Sequence, residues 1–528
     1  MLREASYYLR VAAGLARYQC SPRSDAQQRI GAIQEQVRQR EQRFLRMARF
    51  VLDQKENVYR RLFDLAGCSY ADLEAGIQKD GLRAMLTRLL DAGIYVTHDE
   101  FRGRTELVRH GRHIRWDAKD LDNPRGRGLN AQSTSGSTGT RVVTAVNNQF
   151  LLYREGYETL EMQTMNLEAR PRVLVGALLP SAWPIRRQVT WGRLGVPVDR
   201  WFAVGDTGTA YRALTALLVT QVKLLGGTGR YPEFLPENDF LPVAECLAQY
   251  CAEGRPAYVR TMVSVATRIA SAARDHGLDI RGTIFSVSGE PLSPLKRATI
   301  ESAGARIYSF YGTTEFGTFG FACGRLEGDA VHLLEDGVIL VQRRMNEDTP
   351  DALFATNLLP WAPRILINMG VDDSAVIEEG TCDCDYHRLG LTMQAHNIFS
   401  YGKVTSQGMT IAARDLADLI ETVLPERFGG SPGDYQLAEV ESLAQCELWL
   451  RVSPRAGAVD TARLHQFFLD QVTGIIGGAL SERLWTFSHG FRVVVEEPER
   501  TATGKVHPLR LLRAVGLLTD TRASRAVV

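Results

Sequence analysis

Arg306 to Glu315 reads RIYSFYGTTE, a β-branched and aromatic run that ends in a polar, glycine-containing turn. A strand that stops in such a turn is what a parallel sheet offers a ligand, because loops at the carboxyl ends of its strands stand clear of the sheet. The same pattern extends outward. TIFSVSGE (Thr283–Glu290) is followed by a helical LKRATIESAG, and upstream RVLVGALLP, YRALTALLVTQVKLL and AYVRTMVSVATRIASAARDHG alternate strand with helix. Such alternation predicts an α/β fold with mainly parallel sheets. Three polar, glycine-containing segments fall where its loops belong: STSGSTGT (Ser133–Thr140), SGEP (Ser288–Pro291) and YGTTE (Tyr311–Glu315).

On either side the character changes. Between about residues 28 and 66 apolar residues recur at helical spacing and stop at Gly67, which predicts one or two long helices, with another over LRAMLTRLLDAG. A helical N-terminal region over residues 1–121 therefore precedes a basic connector, DNPRGRGLN, and a large α/β domain over 122–399. From about residue 400 to 528 a small α+β domain is expected on a hinge, with strands at CELWLRVS and FRVVVEE and a helix at TARLHQFFLDQVTGII.

A chain of 528 residues is expected to divide into domains. Lys plus Arg (62) nearly equals Asp plus Glu (61), so neither nucleic acid nor an acidic membrane is implied as partner. The opening residues mix charge into their apolar positions, unlike a secretory leader, and no apolar run reaches about 18 residues, so a cytoplasmic location is expected. Eight cysteines are too few for a disulfide framework. Cys20, Cys68, Cys246, Cys251 and Cys446 read as buried thiols.

A ribbon of Ser, Thr and Gly presents unobstructed amides and hydroxyls, which phosphate oxygens require, and no Gly-Lys-Ser/Thr closes it as in a Walker loop. With TSGSTGT, SGEP, YGTTE, NMGVDD (Asn368–Asp373) and RTATGKVHP (Arg500–Pro508) in this order, residues 120–528 resemble the adenylate-forming acyl, aryl and aminoacyl ligases, within them the phenylacetate-CoA-ligase-like branch. The resemblance implies an enzyme with a large adenylation domain and a mobile C-terminal lid. Its substrates would be ATP with Mg²⁺, a small carboxylic acid, and CoA or an amine as acceptor.

It also implies roles. Thr134, Ser135, Gly136, Ser137, Thr138, Gly139 and Thr140 would hold the β- and γ-phosphates; Ser288, Gly289, Glu290 and Pro291 would line the adenine, and Tyr311, beside Gly312 and Thr313, would stack on it. Thr314 would donate to the α-phosphate, Glu315 would hold Mg²⁺, Asp373 would accept from the ribose hydroxyls, and Lys505 would bring positive charge to the attacked phosphorus. Trp183, Trp191, Gly226 and Gly227 would line the acyl pocket, whose tryptophans favour an aromatic acid, while Arg186 and Arg187 could serve a polar substituent or a phosphopantetheine. Some members of the branch carry zinc, and here Cys323, Cys382, Cys384 and His332, with His387 competing, would make a closed structural Zn²⁺ site beside the active site.

Two departures stand out. The hinge stretch, NIFSYGKVTSQGMTI, lacks the family's Arg and Asp in register, and Asn368 stands where an Arg often precedes the ribose-binding segment. The first puts the thioester-forming pose, and so the acceptor, in question. It leaves open acyl transfer to CoA, to an amine or to a carrier protein, or a catalytically silent nucleotide-binding homologue. The N-terminal helices read as a cap on the large domain or as a docking or homodimerising element.

Overall fold

A computed structural model describes residues 2–126, 128, 130–133, 143–179, 182–204, 208–235, 239–344, 351–400, 403–406, 409–412, 416–417, 419–441, 446–476, 490–499, 506 and 508–510. The N-terminal part is helical: α1 (Leu2–Gln19), α2 (Ala26–Arg38), α3 (Arg40–Leu52), α4 (Val58–Ala66), α5 (Tyr70–Asp91) and a single turn, α6 (His98–Phe101). Where one or two long helices were expected there are three, with an uncapped break at Gln39 and a capped one at Asn57. Asp25 caps α2, Asn57 accepts from the Tyr59 amide to open α4, and Gly67 closes α4 in the left-handed conformation. α5 kinks at Gly81.

The alternating segment forms a ten-stranded sheet. Its strands are β1 (Arg172–Ala177), β2 (Arg200–Val204), β3 (Glu233–Phe234), β4 (Tyr258–Met262), β5 (Ile284–Ser288), β6 (Arg306–Thr313), β7 (Gly317–Phe321), β8 (Val331–Leu333), β9 (Asp373–Glu379) and β10 (Met393–Ser400). Their spatial order is β9-β10-β8-β7-β6-β5-β4-β1-β2-β3. The first six run parallel in the order 3-2-1-4-5-6, the doubly wound arrangement with a switch point between β1 and β4. The remaining four are antiparallel.

Parallel strands need cover on both faces, which explains their near-continuous apolar runs. α7 (Asn148–Thr164), α8 (Trp183–Arg193) and α9 (Thr209–Leu224) join α1 on one face, over Leu174, Leu178, Trp191 and Trp201. α10 (Leu241–Ala252), α11 (Val263–Asp275) and α12 (Pro294–Ser302) cover the other, over Val173, Val175, Phe285 and Ile300. A three-stranded antiparallel sheet over Val338–Arg344, Asp351–Asn357 and Met369–Gly370 packs with α3–α5 around Phe44, Leu86, Leu340 and Phe354. Near the C-terminus the helix Thr461–Ile476 and a four-stranded sheet share a separate core that includes Leu437, Leu450, Phe468 and Phe491. No helix among the described residues is long and apolar enough to cross a membrane.

α7 buries three carboxylates, Glu155, Glu158 and Glu161, against the sheet. Each meets a guanidinium: Arg193 Nε lies 2.6 Å from Glu155, Arg260 Nη2 lies 3.0 Å from Glu161 and 3.3 Å from Glu158, and Arg187 also pairs with Glu158. Trp191 Nε1 and Tyr258 Oη donate to Glu158 and Glu161 at 3.1 and 3.0 Å. Hydrogen-bonded pairs of this kind are the condition on which charge is tolerated inside a core.

Asp336 is different. It is fully buried, takes hydrogen bonds from the Tyr153 hydroxyl (3.1 Å) and from Tyr157, and burial pushes its carboxyl up to about 7. A carboxyl raised in the folded state favours folding while protonated, so its contribution is complete below about pH 4 and falls away as pH rises towards 7. Asp336→Asn removes that loss: between pH 5 and pH 8 the native chain should lose roughly 2–4 kcal/mol in urea unfolding that the variant does not. Equal pH slopes in both proteins would place the buried proton elsewhere.

Candidate active site

A cleft opens at the carboxyl ends of β5 and β6, as expected of this sheet, and one wall is the loop Ser288–Pro291. The Glu290 side chain turns away to cap α11, accepting from Ser264 N at 2.7 Å and Ser264 Oγ at 2.9 Å. This bond fixes the loop and leaves its backbone to the cleft. Tyr311, Gly312, Thr313, Thr314 and Glu315 form the adjoining wall.

Tyr311 Oη donates to Asp373 Oδ2 at 2.8 Å, and Ser400 Oγ donates to Asp373 Oδ1. The tyrosine ring leans on Phe319, 5.0 Å between centroids. An aromatic face and a hydrogen-bonded carboxylate therefore share one rim, as a nucleoside requires. Asp329 supports that rim by accepting from the amides of Asn397 (2.9 Å) and Ile398 (2.7 Å).

The floor comes from the N-terminal region. Arg102 Nη2 lies 2.8 Å from Glu315 Oε1, with both side chains about nine-tenths buried, and Arg102 Nε donates to His98 Nε2 at 3.2 Å. His98 Nδ1 pairs in turn with Asp372. Burial pulls the Arg102 guanidinium below its usual range, opposed by Glu315. The chain Asp372–His98–Arg102–Glu315 thus joins the Asp373 rim to the Glu315 end. The sequence reading missed His98 and Arg102. Their signal is THDE, a capping box in which Thr97 and Glu100 exchange hydrogen bonds and start α6, held further by Arg109 on Glu100 at 2.7 and 2.9 Å.

Asn368, at the position of the missing Arg, is structural. It is buried and donates to the carbonyls of Leu86 (2.9 Å) and Ile94 (3.2 Å), so it ties α5 to the segment that carries Asp373.

Some expected residues are not brought to this cleft. Trp191 is fully buried on Glu158 and Tyr258. Gly226 and Gly227 end α9 as a turn, their amides bonded to the carbonyls of Lys223 and Val222, so left-handed backbone at Gly226 is what they supply. Trp183 lies over the end of β1, where a Cβ on Gly176 would come within 3.0 Å of its ring. Thr134–Thr140 and Lys505 lie outside the described residues, although Ser133 and Val143 on either side of that segment pair as the end of a hairpin. Of the five cysteines read as buried thiols, Cys246 is buried, Cys68 and Cys251 are half-buried, Cys20 is exposed, and the Cys446 side chain lies outside the described residues.

Cys323, His332, Cys382 and Cys384 converge, with one donor atom from each within 4.8 Å of the others. Cys323 Sγ is 3.5 Å from Cys382 Sγ, and Cys384 Sγ is 3.2 Å from His332 Nε2. His332 Nδ1 faces the Leu391 carbonyl at 3.2 Å, which directs the Nε2 lone pair at the thiols. His387 is not in the group. The Cys384 contact pulls the Cys323 thiol down while the same contact, with burial, pushes Cys384 up to about 11, so the thiols share protons that a bound cation would displace. Three thiolates and one imidazole fit tetrahedral zinc. The cluster sits at the opposite end of the seven-residue β9 from Asp373, while His332 pairs with Phe321, which pairs in turn with the cleft residue Phe310.

Comparison with solved structures agrees with this fold. The structure aligns with 2-hydroxyisobutyryl-CoA ligase in complex with 2-HIB-AMP and CoA in the thioesterification state (16% identity, 96% of this chain and 94% of that one, TM-score 0.56). The chain has the adenylate-forming ligase fold. The same ligase in its postadenylation state aligns at 17% identity over 95% and 93% of the two chains (TM-score 0.46), and an AMP-forming acyl-CoA synthetase-like protein from Dyadobacter fermentans at 15% over 71% and 86% (TM-score 0.28). No protein-family model and no curated protein sequence matches. Within the adenylate-forming ligase fold the Arg102–Glu315 pair can be tested directly. Arg102→Met leaves a buried carboxylate unpaired and should cost about 2 kcal/mol, while the double variant with Glu315→Gln recovers at least about 1 kcal/mol of it. Additive losses in a urea double-mutant cycle would show that the two side chains do not interact.

Proposed function

We propose that this chain is an ATP-dependent acid ligase that converts a carboxylic acid and ATP to acyl-AMP and pyrophosphate and then passes the acyl group to CoA. The observation that carries the reading is the convergence of Tyr311, Asp373, the Ser288–Pro291 loop and Thr314–Glu315 on one cleft at the carboxyl edge of the sheet. In this reading Tyr311 and the loop hold adenine, Asp373 holds the ribose and Thr314 donates to the α-phosphate. Glu315 would hold Mg²⁺, which neutralises charge on the transferring phosphate oxygens. Residues 134–140 would cradle the outer phosphates, and Lys505, supplied by the C-terminal domain over 400–528 as a lid on the 122–399 domain, would offset charge where the carboxylate oxygen displaces pyrophosphate. Phe310 and Phe316 in the cleft wall favour a flat or aromatic acid.

CoA as acceptor is supported by the CoA ligase that shares the fold over 96% of the chain. The hinge stretch without its Arg and Asp favours a second reading, transfer to an amine. Acid-dependent exchange of labelled pyrophosphate into ATP tests the first half-reaction, and Lys505→Ala should lower it by about 10²–10³-fold with an unchanged circular dichroism spectrum. Undiminished exchange removes Lys505 from the chemistry. Product release that requires CoA supports the first acceptor; indifference to CoA supports the second.

The Cys₃His group is proposed to hold structural zinc, which supplies a closed cross-link rather than catalysis. Untagged protein should carry about one zinc per chain, and Cys384→Ala should lose it with several degrees of Tm. Stoichiometric zinc in that variant would point to a different site. Thiolate ligation and free cysteines fit a reducing, cytoplasmic setting.

A further inference from the structure

Two polar groups of the cleft are left without partners. Arg102, the C-cap of α6, commits Nε to His98 and Nη2 to Glu315. Its Nη1 is buried and has no hydrogen-bond partner among the described residues, and the same holds for Thr313 Oγ1. Both residues line the cleft. The Arg102 side chain is about nine-tenths buried, as is that of Glu315. A guanidinium cannot shed its proton, so N–H donors shut away from water and unbonded destabilise the fold unless a ligand takes them up.

The order of groups along the floor narrows the ligand. Asp373 stands on the rim with Tyr311, Asp372 precedes it in the chain and pairs with His98, His98 accepts from Arg102, and Arg102 meets Glu315. The guanidinium thus lies between the carboxylate read as the ribose acceptor and the one read as the Mg²⁺ ligand. A nucleotide seated on that rim has its α-phosphate in this interval. Glu315 alone would meet phosphate oxygens with like charge; Arg102, bonded to one of its oxygens, sets a cation there whose planar donors suit phosphate.

We propose that Arg102 is a catalytic residue that donates from Nη1 to an α-phosphate oxygen of the nucleotide while Nη2 keeps hold of Glu315. The inference rests on the ligase reading, which places the nucleotide. As the acid's carboxylate oxygen bonds to the α-phosphorus and the bond to pyrophosphate breaks, charge on the α-phosphate oxygens meets a cation already fixed by His98 and Glu315. The N-terminal region thereby supplies a group to the chemistry.

The test is calorimetric binding of AMP against adenosine, in chelator without Mg²⁺, so that a metal at Glu315 takes no part. Native protein should prefer AMP, and Arg102→Gln should weaken AMP by at least about tenfold with adenosine changed by less than about twofold. Loss of Arg102 also strands the Glu315 charge, which would repel phosphate without any contact to Arg102, so the comparison is repeated with Glu315→Gln. That variant alone should keep the preference for AMP, and the double variant should lose at least about tenfold of it, with Arg102→Lys retaining part. Equal preference in Glu315→Gln and the double variant overturns the contact and leaves Arg102 a partner of Glu315 only. Native protein that binds AMP no better than adenosine, or binds neither, also overturns it. If AMP binds but no acid supports pyrophosphate exchange, the ligase reading fails by itself and the same ratios still judge the contact. Should Arg102→Gln not fold, the double variant, which leaves no charge of the pair buried alone, decides.

Discussion

One glycine governs the site. β6 is bonded parallel to β5 along one edge and antiparallel to β7 along the other, and the register of the antiparallel pair shifts between Tyr311 and Gly312. A Cβ at Gly312 would lie 2.8 Å from Thr318 Cα and closer still to the Gly317 carbonyl oxygen, so no side chain can stand at the shift. Because the strands close this tightly, the chain reverses over Thr314–Phe316. Tyr311 is aimed at Asp373 and Glu315 at Arg102.

What faces that reversal is strained and then held. Asn368 and Asp372 adopt left-handed backbone with φ of 47° and 57°, a conformation that costs a non-glycine residue roughly 1–2 kcal/mol. Asn368 is held by the Leu86 and Ile94 carbonyls and by Thr356, Asp372 by His98. All but the Thr356 contact come from the N-terminal region, so that region is part of the rim's architecture as well as its cover. Its one-turn helix carries His98, and Arg102 is that helix's C-cap.

Strand periodicity and loop composition were enough to find the parallel half of the sheet, because both faces are buried and the runs RVLVGA and IFSVS are almost wholly apolar. The cleft loops were legible for the same reason: SGEP and YGTTE end such runs. The antiparallel half was less so, since β8 has three residues and its partners are far along the chain. His98, Arg102 and Asp329 act through long-range contacts that leave only local traces, a capping box in one case. Trp191 was expected in the acyl pocket from the resemblance alone; it stands inside α8, where its indole N–H meets the buried Glu158.

The Cys₃His group and the rim are the two ends of one hairpin. β9 and β10 pair from Asp373↔Ser400 at the cleft to Glu379↔Met393 at the far end, where Cys382 and Cys384 occupy the turn. A one-residue slip in such a pair turns every side chain to the opposite face. It would carry Ser400 away from Asp373. The irregularity between Ser374 and Val376 means that the ladder alone specifies this register weakly near the cleft. The convergence of Cys382 and Cys384 on Cys323 and His332 constrains the hairpin from its other end. The four converging side chains are thereby placed to hold the register of the hairpin that carries Asp373.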